Sequence, residues 1–161
     1  MVTRQRGFSV MELMVVLIIV GIVLAVAIPS IDSYSKSLGQ KMATNQVIED
    51  LRSARQRAVT QHTPMIVAFG NGTATTDITQ YMIHTDTNGD GIVSSGEPLT
   101  TRKMPKDAVM TRVNLNPVDT LRFDVSGILK LGTKGGYIVV RTNATLFDTL
   151  MVPMTGVVYP R

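Results

Sequence analysis

A run of oxygen-bearing side chains in the second half of the chain has the spacing of a calcium-binding loop. Residues 86–97 read DTNGDGIVSSGE and match the twelve-residue calcium template at every constrained position. Calcium prefers carboxylate, amide, hydroxyl and carbonyl oxygens, and a glycine at the sixth position makes the sharp turn. The candidate ligands are Asp86, Asn88, Asp90, the carbonyl of Ile92, Ser94 and Glu97. A calcium ion bound here would brace the loop, and no cofactor is predicted to be required.

The same segment also fits a metal-free hairpin turn. Asn88-Gly89 and Asp90-Gly91 are among the strongest turn-forming pairs. In an EF-hand the calcium loop joins two helices, whereas strands are expected on both sides of this one. The residues alone leave both interpretations open.

A second group with chemical potential lies at the N-terminus, where one acid sits in an apolar run. The run from Phe8 to Ile28 has 21 residues and a single ionisable group, Glu12. As a helix with a rise of about 1.5 Å per residue it is roughly 30 Å long, the thickness of bilayer hydrocarbon. Arg4 and Arg6 precede it without any acid, so this end is predicted to stay in the cytoplasm. The remainder of the chain would emerge on the other side of the membrane.

Three kinds of N-terminal segment have this pattern. An ordinary signal peptide would be cut after Ala25-Val26-Ala27, a plain anchor would not be cut, and a leader of the third kind would be cut before the apolar run. The helical period continues beyond Ala27, so cleavage there would sever a helix. The choice between the other two depends on Glu12.

Glu12 has a local and an intermolecular explanation. Locally, Ser9 to Glu12 fits a capping box at a helix start. In lipid, however, an unpartnered carboxylate costs about 2.5–3.5 kcal/mol. If the peptide bond between Gly7 and Phe8 is cut, Phe8 gains an ammonium group with which Glu12 of a neighbouring subunit can pair. Such a buried pair enforces register between packed helices.

The segment RGFSVMEL, residues 6–13, followed by the apolar run, resembles the class III leader of type IV pilins and type II secretion pseudopilins. The resemblance implies that a prepilin peptidase cleaves after Gly7 and that Phe8 is then N-methylated. It also implies a docking role for Glu12 during assembly, together with a proline near the helix midpoint, which matches Pro29. Pro29 cannot donate a backbone hydrogen bond, and Gly21 also weakens a helix. The stretch between them is therefore a candidate for unwinding under load.

Two further segments narrow this resemblance. LRSARQRAV, residues 51–59, and LRFDVSG, residues 121–127, are similar to the family of the H-type pseudopilin and its T/U-type minor pilin counterparts. This similarity implies a structural subunit in the tip or initiation complex of a type II secretion pseudopilus or type IV pilus. Its implied partners are other pilins or pseudopilins, the prepilin peptidase and the inner-membrane assembly platform. The implied location is the bacterial inner membrane, with the C-terminal domain in the periplasm, and the filament after assembly.

The alternative function is a binding module that captures DNA or another ligand at a pilus tip. Some T-type members imply this role through a basic Gly-Arg-x-Arg near the C-terminus, but here residues 156–161 read GVVYPR and lack the first arginine. The net charge of +4 permits an anionic partner without requiring one. The candidate basic residues are Arg52, Arg55, Arg57, Lys103, Lys106 and Arg112. No interleaved aromatic residues support single-strand stacking, so nucleic acid is not the predicted partner.

Enzymatic activity is not predicted. The chain has no cysteine and only His62 and His84, which excludes thiol catalysis and leaves little for a histidine-dependent triad. No serine, histidine and acid fall in a catalytic order, and no carboxylate pair suggests acid–base work. We therefore expect no small-molecule substrate.

The elements that position these residues follow from hydrophobic period. After Ser30, apolar residues recur every three or four positions, which indicates an amphipathic helix that Pro64 ends. They are Ile31, Tyr34, Leu38, Met42, Val47, Ile48, Leu51, Ala54 and Ala58. Short strands are predicted at 65–69, 81–84, 99–103, 108–113, 121–123, 137–141, 146–152 and 157–159.

These elements define the predicted fold class and domains. The fold class is α+β, a long N-terminal α-helix, transmembrane in its first half, packed on a C-terminal antiparallel β-sheet domain of the pilin-like type. Residues 1–7 would be the leader and 8–29 the transmembrane and assembly helix. Residues 30–62 would continue the helix, and 63–161 would form the β domain.

Overall fold

The computed structural model describes residues 9–70, 77–92, 94, 96–115, 120–130, 135–142 and 146–161. The chain divides into two compact units, Met1–Lys36 and Ser37–Arg161. The first unit holds the apolar part of a long helix, and the second holds the rest of that helix and all the strands.

Helix α1 spans Val10–Gln61 and has 52 residues. It begins directly after Ser9, whose carbonyl accepts the first helical hydrogen bond from the Leu13 amide at 3.1 Å. It ends where His62 takes a left-handed backbone conformation with φ of 51°, two residues before Pro64. The prediction of one long helix that continues beyond the apolar segment is therefore confirmed.

The packed face of α1 begins later than its apolar pattern indicates. Fully buried apolar side chains occur at helical spacing over the last turns, at Ala43, Val47, Leu51, Ala54 and Ala58. The four preceding members of the predicted stripe are all exposed: Ile31, Tyr34, Leu38 and Met42. These four therefore lie outside the face of α1 that packs on the sheets, and that face begins with the buried polar side chains Gln40 and Thr44.

Eight strands follow the helix. They are β1 Met65–Phe69, β2 Gln80–Thr85, β3 Leu99–Lys103, β4 Val109–Asn114, β5 Thr120–Phe123, β6 Gly136–Arg141, β7 Phe147–Val152 and β8 Tyr159–Pro160. They form two four-stranded sheets with the orders β3-β2-β1-β5 and β4-β6-β7-β8. Every pairing is antiparallel, as expected for short strands joined by short connections.

Both sheets bond to α1 within the second unit. Gln40 Nε2 donates to the Val140 carbonyl of β6 at 2.9 Å, and Gln46 Nε2 donates to the Lys103 carbonyl of β3 at 2.9 Å. A further link joins β4 to the segment before β2, where Ile78 and Met110 exchange two backbone hydrogen bonds of 2.9 Å outside the regular ladders. One core of buried apolar side chains extends from Ala43 to Val158. The predicted α+β class is confirmed, although β8 is a two-residue strand shifted from the expected position.

Candidate functional site

The first candidate site is the N-terminal part of α1, which presents apolar side chains without a covering layer. From Val10 to Ile28 the large apolar side chains are 46–76% exposed. This part of α1 is long and apolar enough to cross a membrane. Glu12 lies in its first turn and is also exposed. The carboxylate predicted to dock a neighbour is therefore placed on an uncovered apolar helix.

The remaining predicted assembly residues are only partly described. Gly7 and Phe8, the predicted cleavage and methylation positions, lie outside the described residues. Pro29 lies inside α1, eight residues after Gly21. The predicted unwinding between them stays a prediction.

The second candidate site is the loop 86–97, whose position is set by the register of the first sheet. Ile66 of β1 is opposite His84 of β2 on one side and opposite Arg122 of β5 on the other. Directly opposed residues place their side chains on the same face of a sheet. His84 and Arg122 therefore flank Ile66 on the face opposite the core residues Val67 and Leu121.

Arg122 bonds to the start of this loop. Its Nη2 donates to Oδ2 of Asp86, which is completely buried, and to the Gly89 carbonyl at 2.9 Å. The Gly91 amide also donates to Asp86 Oδ2, at 3.2 Å. Asp86 is thus joined to a cation and to the turn of its own loop.

His84 bonds to the end of the loop. Its Nε2 lies 2.6 Å from Oε2 of Glu97, whose other oxygen accepts bonds from the Thr87 amide at 2.7 Å and the Asn88 amide at 3.1 Å. Burial raises the pKa of Glu97, but the bonds from Asn88, Thr87 and His84 outweigh it and lower the pKa to about 2. Glu97 is therefore an ionised carboxylate that holds both ends of the loop together.

Asp90 organises the middle of the loop. Its Oδ1 accepts the Ile92 amide at 2.7 Å, and its Oδ2 accepts Asn88 Nδ2 at 2.9 Å and Ser94 Oγ at 3.1 Å. The bond from the Ile92 amide is the main cause of a lowered pKa of Asp90. Asn88, the Ile92 amide and Ser94 thus all donate to the Asp90 carboxylate.

The predicted ligands are close in the chain but bond to different partners. Asp86 bonds to Arg122, Asp90 to amides of the loop, and Glu97 to His84 and Thr87. Among the described residues, no three histidine, cysteine, aspartate or glutamate side chains are grouped so that they could hold a metal ion. The calcium site stays a prediction.

Among the candidate basic residues, Arg55 is bonded to a turn. Arg55 Nε donates to the Gly127 carbonyl at 2.8 Å, which fixes this helix arginine against a turn. Arg102, which the sequence did not single out, lies 3.3 Å from Asp50. Arg55 keeps its charge and its Nη donors, but its Nε is committed to this bond.

Sequence reasoning missed Arg122 and His84 as parts of the loop site. Arg122 lies between two buried core residues, Leu121 and Phe123, so strand alternation alone places it on the opposite face. That signal could have been read from the sequence. The partner of Arg122 could not be read from the sequence, because Asp86 is 36 residues away and the contact between them depends on strand order.

Comparisons with known proteins agree with the fold and the N-terminal segment. A family profile described as type II transport protein GspH matches residues 43–153, and a prokaryotic N-terminal methylation motif matches residues 2–28. Two crystal structures of the Pseudomonas aeruginosa type IV minor pilin FimU are similar, with TM-scores of 0.57 and 0.55 at 13% and 16% identity. They cover 80% and 75% of this chain, and 92% and 91% of the FimU chains. No curated protein matches the chain.

Proposed function

Because this chain belongs to the GspH family of type II transport proteins, we propose that it acts in the tip or initiation complex of a pseudopilus or type IV pilus. The family is one of structural pilin-type subunits, and the methylation motif with the apolar helix is that of a membrane-anchored pilin. A role at the tip agrees with the likeness of the fold to a minor pilin.

One observation carries this proposal: an uncovered apolar helix with a carboxylate in its first turn. Side chains that are 46–76% exposed over Val10 to Ile28 need either lipid or other helices around them. A subunit that moves from the bilayer into a filament would exchange lipid for the helices of neighbouring subunits. Glu12 is tolerated in both only if it has a partner.

Processing at Gly7 would supply that partner. Hydrolysis of the Gly7–Phe8 peptide bond removes Arg4 and Arg6 with the leader and leaves an ammonium group on Phe8. N-methylation of this amine preserves its positive charge. Glu12 of one subunit can then pair with Phe8 of the next, and the pair sets the axial position of adjacent helices.

The proposed topology follows from the same segment. The basic leader would stay on the cytoplasmic side of the inner membrane and residues 37–161 would lie in the periplasm. The partners would be the prepilin peptidase, the assembly platform and other pilins or pseudopilins.

The docking role of Glu12 is tested by Glu12→Ala. We expect normal membrane insertion and processing, but at least about tenfold less protein in the sheared filament fraction, since losing one partner of a buried pair costs more than 1.4 kcal/mol. Glu49→Ala is the matched control, because Glu49 is also an exposed glutamate of α1 but lies outside the apolar segment. Incorporation of Glu12→Ala at the level of the control would refute the docking role.

The processing step is tested by mass spectrometry of the protein from its native membrane. The expected mature chain begins at Phe8 and carries one N-methyl group. A chain that begins at Ile28, or that still carries Met1, would contradict the proposal.

Ligand capture at a pilus tip remains the alternative and predicts a different phenotype. Neutralising Arg161 together with Arg52 and Arg57 would abolish DNA binding while leaving filament assembly intact. In the tip-subunit proposal these substitutions leave DNA uptake or binding unchanged. A filament-binding assay with labelled DNA separates the two.

A further inference from the structure

A positively charged side chain of the protein itself, Arg122, lies against the loop 86–97. Arg122 reaches from β5 into the loop and donates to the Asp86 carboxylate and to the Gly89 carbonyl. Asp86 is 0% exposed at its side chain and Arg122 is 15% exposed. The pair is therefore a buried ion pair between the first position of the calcium template and a residue outside it.

The turn of the loop is closed around the guanidinium. Gly91 has a φ of 78°, and a Cβ built there would lie 2.5 Å from Arg122 Nη1. The template requires glycine at this position for backbone conformation. In this chain the absence of a side chain also makes room for Arg122.

Within the part of the chain that the structure describes, two buried atoms of this pair have no hydrogen-bond partner, Asp86 Oδ1 and Arg122 Nε. An orphaned carboxylate oxygen in a buried site is costly unless a cation is close. Removing the guanidinium would leave Asp86 Oδ1 without the neighbouring charge and Oδ2 without the Arg122 donor. Oδ1 would then be open to a metal ion, and Oδ2, which still accepts the Gly91 amide, could bind the ion through its second lone pair.

We propose that the Arg122 guanidinium is the resident cation of this loop and occupies the place that the sequence pattern gives to calcium. A guanidinium suits the role because it stays protonated, is weakly hydrated and presents several donors in a fixed plane. The loop then folds without metal, and calcium binds only when Arg122 is removed. This inference is independent of the proposed function in filament assembly.

The first experiment uses the full-length wild-type chain in detergent. Titration with calcium chloride in a calorimeter should give no binding heat at millimolar calcium, and the melting temperature should be equal in calcium and in chelator. A binding isotherm, or a melting temperature that rises with calcium, would overturn the proposal.

The second experiment uses Arg122→Gln, which removes the charge and keeps part of the side chain. In chelator its melting temperature should fall by about 10 °C, because a buried carboxylate loses its partner. Calcium, but not the same ionic strength of sodium chloride, should restore at least half of that loss. If Arg122→Gln folds only when calcium is present, this result also supports the proposal, because calcium then replaces the missing guanidinium.

Two variants control for unspecific effects. Arg141→Gln removes another arginine from an arginine–aspartate pair, but Arg141 and its partner Asp77 are 39% and 66% exposed, so we expect neither destabilisation nor a calcium response. In Asp86→Asn combined with Arg122→Gln, the calcium response should disappear because the first ligand is gone. An Arg122→Gln variant that calcium does not stabilise, or that stays unfolded with calcium, would overturn the proposal.

Discussion

At the scale of single residues, the ionised Glu97 makes the fold sensitive to acid. The pKa of its carboxyl falls from an ordinary value of 4.5 to about 2, since bonds from Asn88, Thr87 and His84 exceed the opposing effect of burial. A carboxyl with a depressed pKa in the folded state contributes stability above its unfolded value, and this contribution is lost as the pH falls towards the folded value. The relevant window is therefore pH 4.5 to 2.

We predict that Glu97→Gln is less stable than the wild type at pH 7 but loses less stability on acidification. Thermal melts at half-unit steps between pH 5 and 2.5 measure this. Asp90 and Asp124 also have lowered pKa values, so a residual acid slope should remain in both proteins. If the melting temperatures of the two proteins fall with pH at the same slope, the pKa of Glu97 is not lowered by these bonds.

Tyr81 carries a second polar contact that stabilises the core. Its hydroxyl donates to Asp50 Oδ2 at 2.5 Å, and burial, followed by this bond, raises the pKa of the phenol. Tyr81→Phe removes this donor and leaves the buried carboxylate with its ion pair to Arg102. We expect a loss of about 1–3 kcal/mol in the free energy of unfolding, measured by chemical denaturation. Tyr159→Phe, at a side chain that is 48% exposed, is the control and should be neutral.

At the scale of elements, the final turns of α1 hold the two sheets together. Leu51 is completely buried, whereas Leu38 on the same helix is 46% exposed. We predict that Leu51→Ala lowers the free energy of unfolding by about 2–5 kcal/mol, while Leu38→Ala changes it by less than about 0.5 kcal/mol. Equal effects in chemical denaturation would contradict the observed start of the packed face.

The sequence predicts the elements better than their arrangement. Periodicity alone located the strands and the helix, because side-chain period reflects local geometry. It could not show that β1 pairs with β5, although the 50 residues 70–119 lie between them, nor that the strands divide into two sheets. It also placed Leu38 and Met42 on the packed stripe, since an apolar pattern does not say which of its residues meet a partner.

The candidate site shows the same division. The acidic loop was found from its spacing, and its turn geometry agrees with that spacing at Gly91. Arg122 was not assigned to it, because a contact between β5 and the loop after β2 is set by sheet register. The residues of the loop can be read from the sequence, but the pairing of distant strands decides that Arg122 lies against them.

At the scale of the whole molecule, the two compact units differ in what they bury. Every buried apolar side chain of the described residues lies between Ala43 and Val158, within the unit Ser37–Arg161. We predict that residues 37–161 fold alone, with a melting temperature within about 4 °C of the full chain in detergent. A fragment of residues 45–161 is the control and should melt lower, because it lacks Gln40, Ala43 and Thr44. A fragment 37–161 that does not fold would contradict this division.

The paired bonds between Ile78 and Met110 have a consequence for how the β domain opens. Because each residue donates to the other, β4 and the segment before β2 cannot separate at this point without exposing two amides to solvent at once. In hydrogen–deuterium exchange these two amide protons should be released together, at the rate of the slowest protons of both sheets. Release at that common rate would show that the two sheets open as one cooperative unit, in which a mechanical pull on one sheet is resisted by both.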